Sequence, residues 1–209
     1  MTKTTVAVSL AALAGAAAGQ ATVYAENFDN AAWEADSGSS EFGNNGASAY
    51  VFGEPSGNGS NSLFVQGFAN AADSADAGIT WPVAGTLAAG TTYILTFEAW
   101  DFQQNWTTAG EYEIGFSAAA LDQATTPDFF EIQSVAADGD GVEGPRANQS
   151  FAFTPTADIT DGWLSIRLKT ASPNGVQQRL GFDNFRLVPT PGAAAVLGAA
   201  GLLATRRRR

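Results

Sequence analysis

The chain has 209 residues, of which 21 are acidic and 10 basic, and it contains neither cysteine nor histidine. Lys3 and Arg206, Arg207, Arg208 and Arg209 stand at the extremes, so residues 22–187 carry all 21 carboxylates against five cations, a net charge of −16. Such a field repels phosphate backbones and makes nucleic acid a poor partner. The missing residue types exclude a disulfide scaffold, a thiol nucleophile, and the commonest general base and transition-metal ligand.

In chain order, residues 1–21 read MTKTTVAVSLAALAGAAAGQA. Lys3 supplies a positive start, residues 6–18 an apolar run, and Gly19-Gln20-Ala21 a small-x-small site, so the pattern predicts a secretory signal peptide ending before Thr22. A helix of this segment, without a polar face, is a poor candidate for packing on one side of a fold.

The body, residues 22–188, is read as one domain. Turn signals such as SGSS, GNNG, AAGTT and ADGDGVEG recur every ten to fifteen residues, separating short β-branched and aromatic runs. With sparse helix formers and 23 glycines, nine or ten strands are expected in an all-β antiparallel β-sandwich. The clearest strand is 93–102: Tyr93, Leu95, Phe97 and Ala99 form a core face, and Ile94, Thr96, Glu98, Trp100 and Phe102 a half-covered one. Beyond it, Tyr112, Ile114 and Phe116 alternate with Glu111, Glu113 and Gly115.

Five tryptophans stand in the body. Sugar sites use exposed aromatic faces, because the C–H side of a pyranose stacks on a π surface while amides and carboxylates take the hydroxyls. Trp100 and Trp106, with Gln103, Gln104, Asn105 and Glu98, are therefore the candidate ligand-binding residues; Trp81 and Trp163 are expected in the core. Asp183 alternates with Phe185 and Leu187, which places it on the core side and requires a partner for its charge. Asp138-Gly139-Asp140-Gly141 with Glu143 resembles half of a calcium loop but lacks the remaining carboxylate spacing, and it is read here as ordinary turn chemistry. A glycosidase needs only two carboxylates, which Glu98, Glu111 and Glu113 could supply; no cleft-building insertion accompanies them, and no catalytic residue is assigned. Asn58-Gly59-Ser60, Asn105-Trp106-Thr107 and Asn148-Gln149-Ser150 match glycosylation acceptors, read here as coincidence.

Pro189 and Pro191 each lack a backbone donor, so the last strand is expected to stop there. Residues 192–205 are apolar, and as a helix they span only ~21 Å against the ~30 Å core of a bilayer. The four arginines that follow stop translocation on the cytoplasmic side, which predicts a transient topology with the body outside.

Three features in this order (Pro189-Thr190-Pro191, a short apolar helix, and Arg206, Arg207, Arg208 and Arg209, behind a signal peptide) resemble the PEP-CTERM protein-sorting signal, with Thr190 where that signal has Glu. The resemblance implies an exosortase-type membrane peptidase as partner, transient inner-membrane insertion of residues 189–209, and delivery to the cell surface or extracellular matrix of a Gram-negative-type bacterium. Within the body, GFDNFRLV (181–188) resembles the closing strand of jelly-roll carbohydrate-binding modules, AENFDN (25–30) their first strand, and TYILTFEAWDF (92–102) their central one. That resemblance implies a galactose-binding-like jelly roll, and a structural Ca²⁺ held by Glu26 and Asp183, whose oxygens suit a hard cation. The expectation is an exported, surface-sorted, non-enzymatic protein that binds glycan or extracellular polysaccharide. A structural matrix protein without a small-molecule ligand is the alternative, and a glycoside-active enzyme stands third.

Overall fold

The computed structural model of the chain describes residues 22–30, 32–42, 48–53, 61–67, 78–101, 110–122, 124–136, 144–169 and 178–190. The signal-peptide reading, the tail from Pro191 onward, and Gln103, Gln104, Asn105, Trp106, Asp138, Asp140 and Glu143 lie outside them. Strands run in the order β1 (Tyr24–Glu26), β2 (Ser40–Phe42), β3 (Ser48–Gly53), β4 (Asn61–Gly67), β5 (Gly78–Leu87), β6 (Tyr93–Asp101), β7 (Gly110–Ser117), β8 (Phe129–Val135), β9 (Ala147–Phe153), β10 (Ile159–Leu168) and β11 (Gln178–Pro189). One turn of helix, α1 (Trp33–Asp36), interrupts β1 and β2.

All pairings are antiparallel, in two sheets. The six-stranded sheet has the order β3-β4-β11-β6-β9, with β1 also on β11; the five-stranded sheet has the order β2-β5-β10-β7-β8. β11 is long enough to hold two partners on one side, β4 along residues 178–182 and β1 along 185–187. From β4 onward the chain crosses repeatedly between the sheets, so each strand packs its apolar face against a different layer from the strand before or after it. Leu180 lies opposite Asp101, Gln178 opposite Gly67, and Gly110 opposite Val135. The β4–β5, β6–β7, β8–β9 and β10–β11 connections therefore leave one end of the sandwich, and residues 22 and 190 lie at the other.

Between the sheets, the inward faces follow the expected alternation: Leu95, Phe97 and Ala99 from β6, Tyr112, Ile114 and Phe116 from β7, and Leu164, Ile166 and Leu168 from β10 are all buried. Phe28, Trp33, Trp81 and Phe185 close one side of this core with edge-to-face ring contacts of 4.8–6.3 Å, each worth about 0.5–1.5 kcal/mol beyond area burial. Buried indole donors need acceptors, and Trp81 Nε1 donates to the Tyr24 hydroxyl at 2.8 Å. Burial, with the Glu26 charge nearby, raises the Tyr24 phenol well above its usual range, so it stays neutral.

Trp81 is a core residue as expected, but Trp163 is not. It stands half-buried on the outer face of the five-stranded sheet, opposite Pro82 and Ser117. The register slips between Thr160 and Gly162. Gly162 consequently faces inward beneath the Phe116 ring, where an added Cβ would meet the ring at 2.3 Å, and Trp163 faces out.

Segment 118–128 lies over that outer face. Its Asp122 carboxylate accepts from Ala124 N at 2.9 Å, from Thr125 N at 2.8 Å and from the Thr125 hydroxyl. The Thr125 hydroxyl bond, the Ala124 amide and the Arg167 charge hold Asp122 below the usual aspartate value of 3.8. A depressed folded-state pKa stabilises at pH above the unfolded value and loses that contribution as pH falls through the folded one. Protection of the Ala124 and Thr125 amides, taken as exchange relative to the intrinsic rate at each pH, is thus expected to fall on acidification below the ordinary aspartate range, while the protection of core amides of β6 does not change. A pH series of hydrogen exchange checks this.

Candidate functional site

The outer face of the six-stranded sheet collects the polar residues that the core rejects. Alternation on β6 turns Thr96, Glu98 and Trp100 outward, and β9 sets Ser150 and Asn148 opposite the first two. β4 contributes Phe64 and Gln66, and β11 contributes Arg179, Gly181, Asp183 and Arg186.

Trp100 is fully buried there. Its indole lies across Gly181, where a Cβ would sit 2.2 Å from the ring. Phe64 meets it edge-on at 6.1 Å, and the Arg146 guanidinium covers it at 4.1 Å from the ring centroid. This corrects the expectation of an exposed stacking surface: only the absence of a side chain at residue 181 lets so large a ring lie flat on a sheet, and so placed it forms the floor of the face. Glu98 does belong to the face. It accepts from Arg146 Nη1 at 3.3 Å and from Asn184 Nδ2 at 3.2 Å.

Asp183 is also placed differently from the sequence expectation. Phe182 and Phe185 are both buried in the core, although strict alternation would send residues three apart to opposite faces. The chain resolves this with a β-bulge. Asp183 pairs with Glu98 and Arg186 with Thr96, so two residues, Asn184 and Phe185, stand against Phe97 alone. Asn184 takes up the extra length at φ 55°, a left-handed conformation that asparagine tolerates better than most residues, and its N–H donates to Asp183 Oδ1 at 2.7 Å. Asp183 thereby faces outward, 4% exposed, with Oδ2 at 3.4 Å from Arg146 Nη1.

The bulge decides whether Glu26 and Asp183 fit a shared cation. Glu26 pairs with Phe185 and so points to the core side. Its Oε1 accepts from Asn27 N and Phe28 N at 3.1 and 2.9 Å, and its Oε2 accepts from Trp33 Nε1 at 3.0 Å. The two carboxylates point to opposite sides of one sheet, each already saturated by N–H donors or a guanidinium, and this pair does not fit a single Ca²⁺. Arg146 bridges Glu98 and Asp183 in the place a cation would take between two carboxylates.

Two open depressions flank the bulge. One of about 330 Å³ is bordered by Thr96, Glu98, Asn148, Ser150 and Asn184; the other, of about 460 Å³, by Ala25, Glu26, Asn27, Asn184, Phe185 and Arg186. Asn184 belongs to both. Its NH₂ donates to Glu98 and, at 3.5 Å, to Asp183 Oδ2, and this fixes the amide so that its carbonyl is the group left to accept. Three of the five cations of the body, Arg146, Arg179 and Arg186, belong to this face. With Glu98 and Asp183 opposing them, it is close to charge balance on an otherwise acidic molecule. Amides, hydroxyls and one exposed guanidinium can exchange hydrogen bonds with a neutral, hydroxyl-rich partner without repelling it.

Sequence reasoning missed Asn148, Ser150, Asn184, Arg146 and Arg186. Asn148 and Ser150 stood out only as ends of an acceptor triplet, and nothing local marks Arg146, whose partners lie 37 and 48 residues away. No helix among the described residues is long and apolar enough to cross a membrane.

No protein-family model and no curated protein sequence matches the chain. Solved structures do. The CBM22-1 xylan-binding domain of Xyn10C from Paenibacillus barcinonensis superposes with a TM-score of 0.53 at 10% identity, over 83% of this chain and 97% of that one. The CBM22-1–GH10 modules of endo-1,4-β-D-xylanase 10B from Clostridium thermocellum, complexed with xylohexaose, give 0.52 at 16% identity over 83% of this chain; the match spans 29% of the xylanase chain. The K1 cleaved adhesin domain of Lys-gingipain from Porphyromonas gingivalis W83 gives 0.53 at 14% identity, over 80% and 97%. What is shared at these identities is the architecture, and the chain is an antiparallel β-sandwich of the jelly-roll type.

Proposed function

We propose that this is an exported, surface-sorted, non-enzymatic protein that binds a glycan on the outer face of its six-stranded sheet. The observation that carries the reading is a pair of depressions sharing Asn184, one lined by amides and hydroxyls and the other by amides and Arg186, on a face close to charge balance among the described residues. Sugar hydroxyls need both donors and acceptors at fixed positions, and Asn184, Asn148, Ser150 and Thr96 supply both. The same architecture serves a xylan-binding domain in one bacterium and an adhesin domain in another, so the fold suits binding and leaves the ligand to the site. Of the three glycosidase candidates, Glu98 stands on β6 of one sheet and Glu111 and Glu113 on β7 of the other, with Glu113 buried against Arg167, an arrangement unlike two carboxylates flanking a scissile bond, which supports binding over hydrolysis. Trp106, with Gln103, Gln104 and Asn105, stays in the proposal as a stacking contact, and Trp100 as the buried floor of the face.

Export rests on residues 1–21, and sorting on Pro189-Thr190-Pro191 with Arg206, Arg207, Arg208 and Arg209, through an exosortase-type peptidase and transient insertion in the inner membrane. The rival reading, a matrix protein without a small-molecule ligand, is favoured by one observation: among the described residues the exposed large apolar side chains, Phe130 and Ile132, lie on β8 of the other sheet.

A glycan array probed with the chain lacking residues 1–21, with and without Ca²⁺, separates the readings. Binding to a defined glycan set is expected. Asn184→Gly keeps the left-handed backbone and removes only the amide, and should weaken binding about tenfold, the equivalent of one to two hydrogen bonds, at unchanged melting temperature; Trp106→Ala should weaken it further. Failure to bind any glycan would leave the matrix reading standing.

A further inference from the structure

Thr190, the residue that departs from the sorting pattern, is part of the fold. β11 does not end before the motif: Val188 pairs with Ile94 and Pro189 with Tyr93. Thr190 then donates twice to one carbonyl, from its N–H to Thr92 O at 2.7 Å and from its hydroxyl to the same oxygen at 3.1 Å. On the other side of β11, Val23 N donates to Leu187 O at 2.9 Å and Arg186 Nε to Thr22 Oγ1 at 3.1 Å. Pro189 and Thr190 are half-buried. A glutamate at residue 190 would keep the N–H but present an acceptor-only carboxylate to an acceptor carbonyl, so threonine is the better closure of this strand.

A peptidase engages its substrate as an extended chain by pairing with its backbone, and bonds inside a strand that is already paired become available only when the strand opens locally. We infer that the folded domain shields the peptide bonds from Leu187 to Thr190, so that the apolar tail is released by a cut at or beyond the Thr190–Pro191 bond and Thr190 stays on the mature protein. The cut adds water across one peptide C–N bond, leaving a carboxylate on the domain and an amine on the released tail. The boundary depends only on the strand pairing; the identity of the peptidase rests on the sorting reading above.

Proteinase K digestion of the full chain without residues 1–21, kept in mild detergent and followed by intact mass, tests the boundary. Native digests are expected to converge on products ending at or after Thr190, while digestion in urea proceeds through 187–190. Thr190→Val, which loses the hydroxyl donor alone, should speed exchange of the residue-190 amide about fivefold, and Thr190→Glu should yield products ending at Val188 or earlier. Native digests that reach Val188 as fast as urea digests would overturn the inference. A cellular arm separates it from the sorting reading. A surface-exposed chain that keeps Arg206–Arg209 defeats sorting and leaves the boundary intact, whereas a mature C-terminus at or before Val188 defeats the boundary and leaves sorting intact.

Discussion

Gly181→Ala is expected to lower the stability of the domain by about 3 kcal/mol, a fall in melting temperature of roughly 6–12 °C for a domain of this size. The same substitution is expected to cost less than about 1 kcal/mol in a Trp100→Leu background. A methyl at residue 181 would lie 2.2 Å from Cε2 and 2.5 Å from Cζ2 of Trp100. The indole has nowhere to retreat, with Phe64 at its edge and Arg146 above it, so either the ring leaves its rotamer or β11 separates from β6. Trp100→Leu removes the obstructing atoms and with them the reason for the penalty, while itself destabilising by the lost ring contacts. Urea denaturation of the four proteins of this cycle measures the coupling. Equal penalties in both backgrounds would mean that Trp100 does not rest on Gly181, and would return it to the candidates for direct sugar stacking.

The cycle also marks where sequence reasoning reached its limit. Period-2 alternation placed Trp100 on the outer face of β6 correctly, because that face depends only on the strand's own residues. Its burial depends on which strand lies alongside, on a glycine 81 positions later, and on an arginine beyond β8. Nothing local encodes that meeting. Asp183 fails differently: alternation was extended through residues 181–188 as if the strand were regular, yet two inward phenylalanines three apart were in plain view and require one extra residue between them. The pair Phe182–Phe185 was thus a legible bulge signal, and reading it would have turned Asp183 outward and removed it from any site shared with Glu26. Trp163, expected in the core, is turned outward by the Thr160–Gly162 register slip. The sandwich was legible because turns and alternation recur along the whole chain, whereas the depressions around Asn184 form only when β1, β6, β9 and β11 are assembled side by side.

Arg167→Met is expected to destabilise the protein by about 3–5 kcal/mol, the other large effect that the structure implies. Arg167 and Glu113 face each other across β10 and β7, 6% and 4% exposed, with Nη1 and Oε1 3.6 Å apart. Lys169 Nζ lies 3.9 Å from the other Glu113 oxygen, too far and too exposed to neutralise it alone. Removing the guanidinium leaves a carboxylate stranded under segment 118–128, and buried charge without a close partner is where single substitutions do the most damage. Arg167 has a second task, because its Nη2 donates to the carbonyls of Asp122 and Thr125 and so ties that segment to the sheet. The double variant Glu113→Leu with Arg167→Met separates the two roles. Global stability should largely recover, since well-packed apolar replacements of a buried pair are often neutral, but amide exchange at Ala124 and Thr125 should stay fast, since the tie to the sheet is lost and Asp122 O keeps only the long bond from Thr125 N at 3.4 Å. Recovery of both would assign the arginine to charge compensation alone; recovery of neither would assign it chiefly to the anchoring of segment 118–128.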